Sequence, residues 1–371
     1  MSAGVRIAVP IHSFEPGGVE RVALNLAAAW QADEAKVSVL LGRATGAMKA
    51  TAPTLDYVIR PEPFPTAAWE TLWLIFASWR WLRVNKVDVL FAAGNTYAIV
   101  GVALKLLLGR RCPPIALKLS NDLARRDLPA PARWLYHQWL RMQGRWLDHF
   151  VGMAAPMRAE LAEALRVADD RITIIEDPSL EAAPAAVLAD IPRSAALPRP
   201  PRYVAVGRLA GQKNFPLLLR AFARLSDPAA RLVIVGEGSE RARLERLAAE
   251  LGIAPRLSLP GHCDPLPALA QGSAYVLSSD YEGVPAVVIE ALAAGLPVAG
   301  TDCSVSMEAL TGQGAFGLLV PVRDEAALAG AMARVLTMPF DPAAARASTR
   351  SFTIAVAAAR YNALFAQLAR S

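Results

Sequence analysis

Cysteine and histidine are the scarcest reactive residues of this chain, three and four in 371 residues. Cys112, Cys263 and Cys303 make no C-x-x-C pair and no disulfide framework, which gives the expectation of a reducing, cytoplasmic setting. His12, His137, His149 and His262 share no ligand spacing with one another or with the cysteines. No D-x-D near a strand end suggests a metal–diphosphate site, so the expectation is no metal and no other cofactor. No run reaches the roughly 18–20 apolar residues of a membrane-spanning helix. The nearest approach, 72–79, is ended by Arg80 and Arg83. The chain enters a strand at Val5 without an apolar leader segment, so no secretory signal is expected. A G-x-G-x-x-G fingerprint is also missing. Gly236-x-Gly238 has Arg241 where the third glycine belongs, which disfavours a dinucleotide oxidoreductase.

What the chain has is apolar residues, 54% of the total, with a mean hydropathy of +0.30. Much of this is alanine. The length suits two domains of ordinary size. The net charge of +6 is uneven: residues 60–146 hold 13 Lys/Arg against 5 Asp/Glu. That basic half suits peripheral contact with an anionic membrane, although a merely solvated face would look the same. Nucleic acid is not expected, because the tryptophans sit in apolar contexts and no binding motif is present.

Strand and helix patterns alternate. Strands are expected at 5–9, 37–41, 87–91, 115–119, 150–153 and 172–175, with helices at 19–31, 69–84, 98–108 and 131–146. In the last of these, Leu135, Trp139, Met142 and Trp146 recur at helical spacing. They read as a core stripe, with an interfacial membrane helix as the alternative. Residues 181–201 are rich in Ala and Pro without a period, and read as a linker or a peripheral insertion. The pattern restarts with strands at 203–206, 232–235, 257–259 and 275–277 and helices at 215–225, 239–252 and 324–336. A long helical tail is expected over 343–371. Alternation of this kind argues for parallel sheets covered by helices on both faces.

Residues 275–300 read as strand, polar turn, helix, strand. Pro285 stands where a helix takes its first residue, and Gly295 where it takes its C′ residue. Glu282 lies at the helix mouth, and Glu290 lies inside an otherwise apolar helix. A glutamate there is costly unless paired or ligand-bound. An arginine across a helix contact and a ligand hydroxyl both remain open. Gly283 lets backbone come close, and free N–H groups at the mouth attract phosphate. A second strand-to-helix loop, 207–214, carries Gly207, Arg208, Gly211 and Lys213. Arginine can grip two diphosphate oxygens and lysine adds a point charge, each charged hydrogen bond being worth about 1.5–3 kcal/mol. An exposed basic loop is the bland alternative. Gly17-Gly18-Val19-Glu20-Arg21 opens the first helix, as a phosphate-facing loop or as a plain turn.

The run 282–298 resembles the E-x7-E signature of the family-4 retaining glycosyltransferases. Residues 207–214 resemble that family's G-R-L-x-x-x-K-N pattern, and 17–21 its glycine-rich first loop. The resemblance implies an α/β GT-B fold, with two doubly wound Rossmann-like domains facing across a cleft. It implies an acceptor-binding domain over 1–180, the linker 181–201, a nucleotide-sugar domain over 202–350, and a closing helix, 351–371, packed back on the first domain. By resemblance, Arg208 and Lys213 hold the donor diphosphate as it leaves. Glu290 accepts hydrogen bonds from the ribose diol, and Glu282 lies by the donor sugar. Gly17, Gly18, Gly236, Gly283, Val284 and Pro285 line the donor, and His262 stands where backbone meets the base. Many relatives place a histidine near the acceptor at the end of a first-domain strand. Here Ser120, Asn121 or Asp122 occupies that place.

The implied activity is transfer of a hexosyl-type sugar, with retention, from a nucleotide-diphosphate sugar. A UDP-sugar is favoured, and the acceptor is a glycan or lipid-linked surface polysaccharide precursor. The implied setting is the inner face of the plasma membrane. The alternative is a catalytically idle nucleotide-sugar-binding subunit of a glycan assembly complex.

Overall fold

The computed structural model describes residues 4–370 except 16, 64, 120–122, 124, 126–127, 181–187, 189 and 192–199. The chain divides into two compact units, Met1–Pro178 with Ile354–Ser371, and Ser179–Thr353.

The first unit is built on seven parallel strands: β1 (Arg6–Ile11), β2 (Lys36–Leu41), β3 (Asp56–Ile59), β4 (Val89–Ala92), β5 (Ile115–Lys118), β6 (His149–Gly152) and β7 (Ile172–Ile174). Their order is β3-β2-β1-β4-β5-β6-β7. Strands β1, β4, β5 and β6 are apolar runs buried on both faces, as parallel strands covered by helices must be. The strand order reverses between β1 and β4, so the loops leaving those strands diverge. That divergence opens the crevice where such sheets take ligands. Strand β3 was not anticipated: four residues with two exposed give little pattern, and pairing with β2 is what holds them.

The second unit repeats the plan with six parallel strands: β8 (Arg202–Val206), β9 (Arg231–Val235), β10 (Leu257–Ser258), β11 (Ala274–Leu277), β12 (Val298–Thr301) and β13 (Gly317–Val320). Their order is β10-β9-β8-β11-β12-β13, with the reversal between β8 and β11. Two buried clusters fill this unit. One holds Tyr203, Phe222, Leu232, Ile234 and Met332; the other holds Tyr275, Leu292, Leu296, Val298 and Met307.

Three expectations need correction. The tail is not one helix. Pro342–Ser348 ends before a short 3-10 turn at Arg350–Phe352, and Ile354–Leu368 is a separate helix. The first packs on the helix Ala286–Ala293; the second packs on the helix Gly18–Ala32 of the first unit. There Tyr361 and Phe365 meet Trp30 with ring centroids 5.6 and 5.0 Å apart, and also Phe91. The segment 181–201 lies mostly outside the described residues, yet Leu188 and Ile191 are buried in the second unit's core, so part of it is packed structure. The stripe on the helix Ala130–Trp146 is not core. Leu135 is 62% exposed and Trp134 61%, with Met142 and Trp146 also outward. The buried face is Leu140, Gln143 and Gly144, because Gly144 allows the close approach to Leu165 that fixes the helix's rotation. Among the described residues no helix is long and apolar enough to cross a membrane.

Candidate active site

In the second unit, the basic loop and the glutamate-bearing turn leave neighbouring strands. The loop after β8 carries Gly207 to Asn214; the turn after β11 carries Ser278 to Gly283. Because β8 and β11 flank the strand-order reversal, both open at the same crevice. Backbone and side chains tie them together. Asp280 N donates to Gln212 O (2.9 Å), and Ser278 Oγ donates to Lys213 O (2.7 Å). Asn214 Nδ2 donates to Asp280 Oδ1 (2.8 Å), and Arg323 pairs with the other oxygen of Asp280 (2.7 Å). Asn214 also caps the helix Phe215–Ala223 in the left-handed conformation, at φ 43°.

At the centre lies an ion pair, Lys213 Nζ to Glu282 Oε1 at 2.6 Å, with both side chains largely buried. Ser279 Oγ donates to the same carboxylate oxygen (2.7 Å), and Gln212 Nε2 reaches the other at 3.4 Å. Glu282 N donates to Cys303 O (3.1 Å), fixing the turn against the end of β12. The adjacent Cys303 thiol is pushed up to about 12, first by burial and next by the Glu282 carboxylate. It stays protonated at neutral pH and is no nucleophile. Arg208 is exposed on the same loop, and no described residue pairs with its guanidinium.

Gly236 is needed for this loop to exist. It sits at φ 150°, and a Cβ there would lie 1.9 Å from the carbonyl oxygen of Gly207. Gly207 N in turn donates to Val235 O (2.9 Å), so the two strand-end turns interlock. Gly236 N donates to Gly261 O (2.9 Å), which brings the exposed His262 to the same edge.

The helix Ala286–Ala293 begins after Pro285, which is its N-cap and not its first residue. Gly283, Val284 and Pro285 form its approach. Ser306 Oγ donates to Gly283 O (3.1 Å), as does Ser304 Oγ, which fixes the approach to the helix; the first N–H groups of a helix have no partner within it. Gly295 ends the helix at φ 73°, as expected of a C′ glycine. Glu290 is half-buried on this helix. The Tyr275 phenol is held protonated first by burial, and also by the charges of Glu290 and then Glu282.

In the first unit, Gly17 and Gly18 begin the helix Gly18–Ala32 as expected. The Glu20 carboxylate folds back over Gly17, where a Cβ would meet its oxygen at 2.1 Å. Tyr97 Oη donates to Glu20 (2.8 Å), and His12 stacks on Tyr97 with centroids 4.8 Å apart. Burial lowers the His12 pKa, against the pull of Glu70 and Glu20. Sequence reasoning missed this cluster, since a lone histidine after a strand carries no pattern. Ser120, Asn121 and Asp122 lie outside the described residues. Gln212, Ser279, Asp280 and Arg323 were missed as organising residues too. Their signal was only turn composition beside a strand end.

Comparisons with known proteins bear on the family and the fold. The model "Glycosyltransferase Family 4" matches residues 16–177, and "Glycosyl transferases group 1" matches 189–352. The lipopolysaccharide core biosynthesis glycosyltransferase LpsE of Rhizobium meliloti is 34% identical over 137 residues, 37% of this chain and 39% of LpsE. A Campylobacter jejuni N-acetylgalactosaminyltransferase, named for a diphospho-undecaprenol-linked substrate, is 38% identical over 123 residues, 33% of each chain. This chain spans less than half the length of these curated relatives. Among solved structures, the lipopolysaccharide outer core galactosyltransferase WaaB matches with a TM-score of 0.77 at 17% identity, over 98% of this chain and 100% of that one. HepE of Anabaena, solved with UDP and glucose, matches with a TM-score of 0.66 at 16% identity, over 99% and 97%. At these identities the likeness is one of fold. Two Rossmann-like parallel-sheet units of this kind are the GT-B architecture of glycosyltransferases. The chain belongs to the family-4 glycosyltransferases.

Proposed function

We propose that the chain is a retaining glycosyltransferase moving a sugar from a nucleotide-diphosphate sugar, with a UDP-sugar favoured, to an acceptor hydroxyl. The acceptor is a glycan or lipid-linked intermediate of a surface polysaccharide. The observation that carries this reading is the Lys213–Glu282 pair, held at the strand-order reversal beside the exposed Arg208 and the start of the helix Ala286–Ala293. Cations and N–H dipoles converge where a leaving diphosphate gains charge, and no metal or other cofactor is needed in this scheme.

The bond from the anomeric carbon to the diphosphate oxygen breaks, and its electron pair leaves on the diphosphate. Arg208 and Lys213 stabilise that charge. The acceptor oxygen bonds to the same face of the sugar, and its proton passes to the departing phosphate. Glu282 already accepts from Lys213 and Ser279. We therefore assign it to orienting the ammonium and binding a sugar hydroxyl, and not to nucleophilic attack. Glu290 accepts from the ribose diol, which suits a two-oxygen acceptor. Gly236 and His262 border the base and phosphates. The first unit binds the acceptor, through residues near 120–122, while Gly17 and Gly18 border the donor, and its basic 60–146 region meets the anionic inner face of the membrane.

A panel of nucleotide sugars tests this, with nucleoside diphosphate release followed in the presence and absence of a bacterial lipid extract. One donor should give acceptor-dependent release, and proton NMR of the product should show the donor's anomeric configuration preserved. Tight donor binding without turnover would instead favour an idle sugar-nucleotide-binding subunit.

A further inference from the structure

The first unit has a cavity of about 540 Å³ away from the strand-order reversal, between the ends of β2 and β3 and the C-terminal half of the helix Glu70–Leu82. Four arginines line it, Arg60, Arg80, Arg83 and Arg111, and no carboxylate does. All four are exposed, and among the described residues none is paired with an acid. The helix dipole accounts for Arg80 and Arg83, which lie at a helix C-terminus where cations are favoured. It does not account for Arg60, which comes from the end of β3, or for Arg111, which comes from a separate turn. Four guanidinium groups around one cavity repel one another unless an anion joins them, and guanidinium is the group that takes phosphate through two parallel hydrogen bonds.

The remaining walls are apolar, among them Leu41, Val58, Trp81 and Val84. Val84 is 83% exposed at the rim. Arg60 lies over the ring of Phe76 (5.5 Å) and Arg83 over that of Trp79 (5.1 Å). Phe76 in turn belongs to an outward stripe with Leu72 on the same helix and Trp69 at its N-cap. Aromatic and aliphatic groups surrounding a ring of arginines are the chemistry of a membrane interface. The volume lies in the range of sites for drug-sized ligands, about 300–1,000 Å³, larger than a bare phosphate requires.

We propose that this cavity binds the phosphate headgroup of an anionic membrane lipid, with the Trp69–Leu72–Phe76 stripe entering the interface around it. The proposal rests on the membrane contact put forward above and gives that contact a specific seat.

The test is flotation of the full chain with phosphatidylglycerol-containing and pure phosphatidylcholine vesicles. Wild type is compared with Arg80→Gln/Arg111→Gln, and with Arg133→Gln/Arg145→Gln, which removes the same charge from the helix Ala130–Trp146. From about 1 kcal/mol per basic residue at such a surface, the cavity variant should lose roughly 20–30-fold in partitioning to phosphatidylglycerol vesicles, and the control much less. Unchanged melting temperatures and donor affinity would show that both variants fold. Equal losses in the two variants would overturn the cavity while leaving diffuse membrane attraction in place. Full displacement by millimolar inorganic phosphate would overturn it in favour of a free-anion site. Failure of wild type to bind either vesicle would remove both the cavity proposal and the membrane reading.

Discussion

At the residue scale, the two signature glutamates do different work. Glu282 is committed to Lys213 and Ser279, whereas Glu290 sits on an apolar helix beside the protonated Tyr275. Loss of one charged acceptor costs about 1.5–3 kcal/mol, so Glu290→Gln should weaken nucleoside diphosphate binding roughly 10–100-fold by calorimetric titration. Unchanged affinity would remove it from the ribose. His149 makes a different prediction. Its pKa falls from 6.5 to about 4, first through burial, then through Arg171 and Arg158, against Asp170 and Asp148. Its neutral ring bonds Thr173 Oγ1 at 2.8 Å. The unfolded chain therefore binds the proton more readily than the folded one. The His149 contribution to stability is complete above about pH 6.5 and is lost as pH falls towards about 4. Denaturant midpoints measured across that window should fall for wild type and fall less steeply for His149→Gln. The sequence showed both glutamates, Arg208 and Lys213. It did not show that Lys213 and Glu282 pair, because that contact depends on β8 lying next to β11.

At the scale of elements, most strands and helices were legible, since buried parallel strands are short apolar runs and their helices carry Pro, Ser and Gly at the ends. The failures have physical causes. Strands β3 and β13 are four residues each and hold their place by pairing. The helix Ala130–Trp146 carried an apolar stripe at the right period, yet that stripe faces outward. Its rotation is set by Gly144, where a Cβ would lie 2.0 Å from Leu165 O, and by Arg171, which donates to Gly144 O (2.9 Å). Glycine to alanine inside a helix ordinarily gains about 0.5–1 kcal/mol. Here the sign should reverse, and Gly144→Ala should cost about 1–3 kcal/mol by overpacking, read as a lower urea midpoint. A stabilised variant would contradict the packing described.

At the scale of the whole molecule, the chain passes between its two units twice, near 178 and near 353. The last helix therefore completes the first unit's core, with Tyr361 and Phe365 buried against Trp30 and Phe91. Phe365→Ala should destabilise that unit by about 3–5 kcal/mol. Calorimetric scanning should show the loss in the first unit's transition while nucleotide binding by the second persists. The restart of the strand–helix pattern after 201 made the second unit legible in the sequence. The break at 349–353 was not, because alanine-rich helices on either side of it read as one.

The central claim is that Lys213 stabilises a departing nucleoside diphosphate. Its most direct test is acceptor-dependent diphosphate release by wild type and Lys213→Ala, with donor affinity measured on the same samples. The account predicts a fall in turnover of at least about 100-fold, in line with the loss of one preorganised charge-stabilising group, with a much smaller change in donor affinity. Turnover within a few-fold of wild type would contradict it.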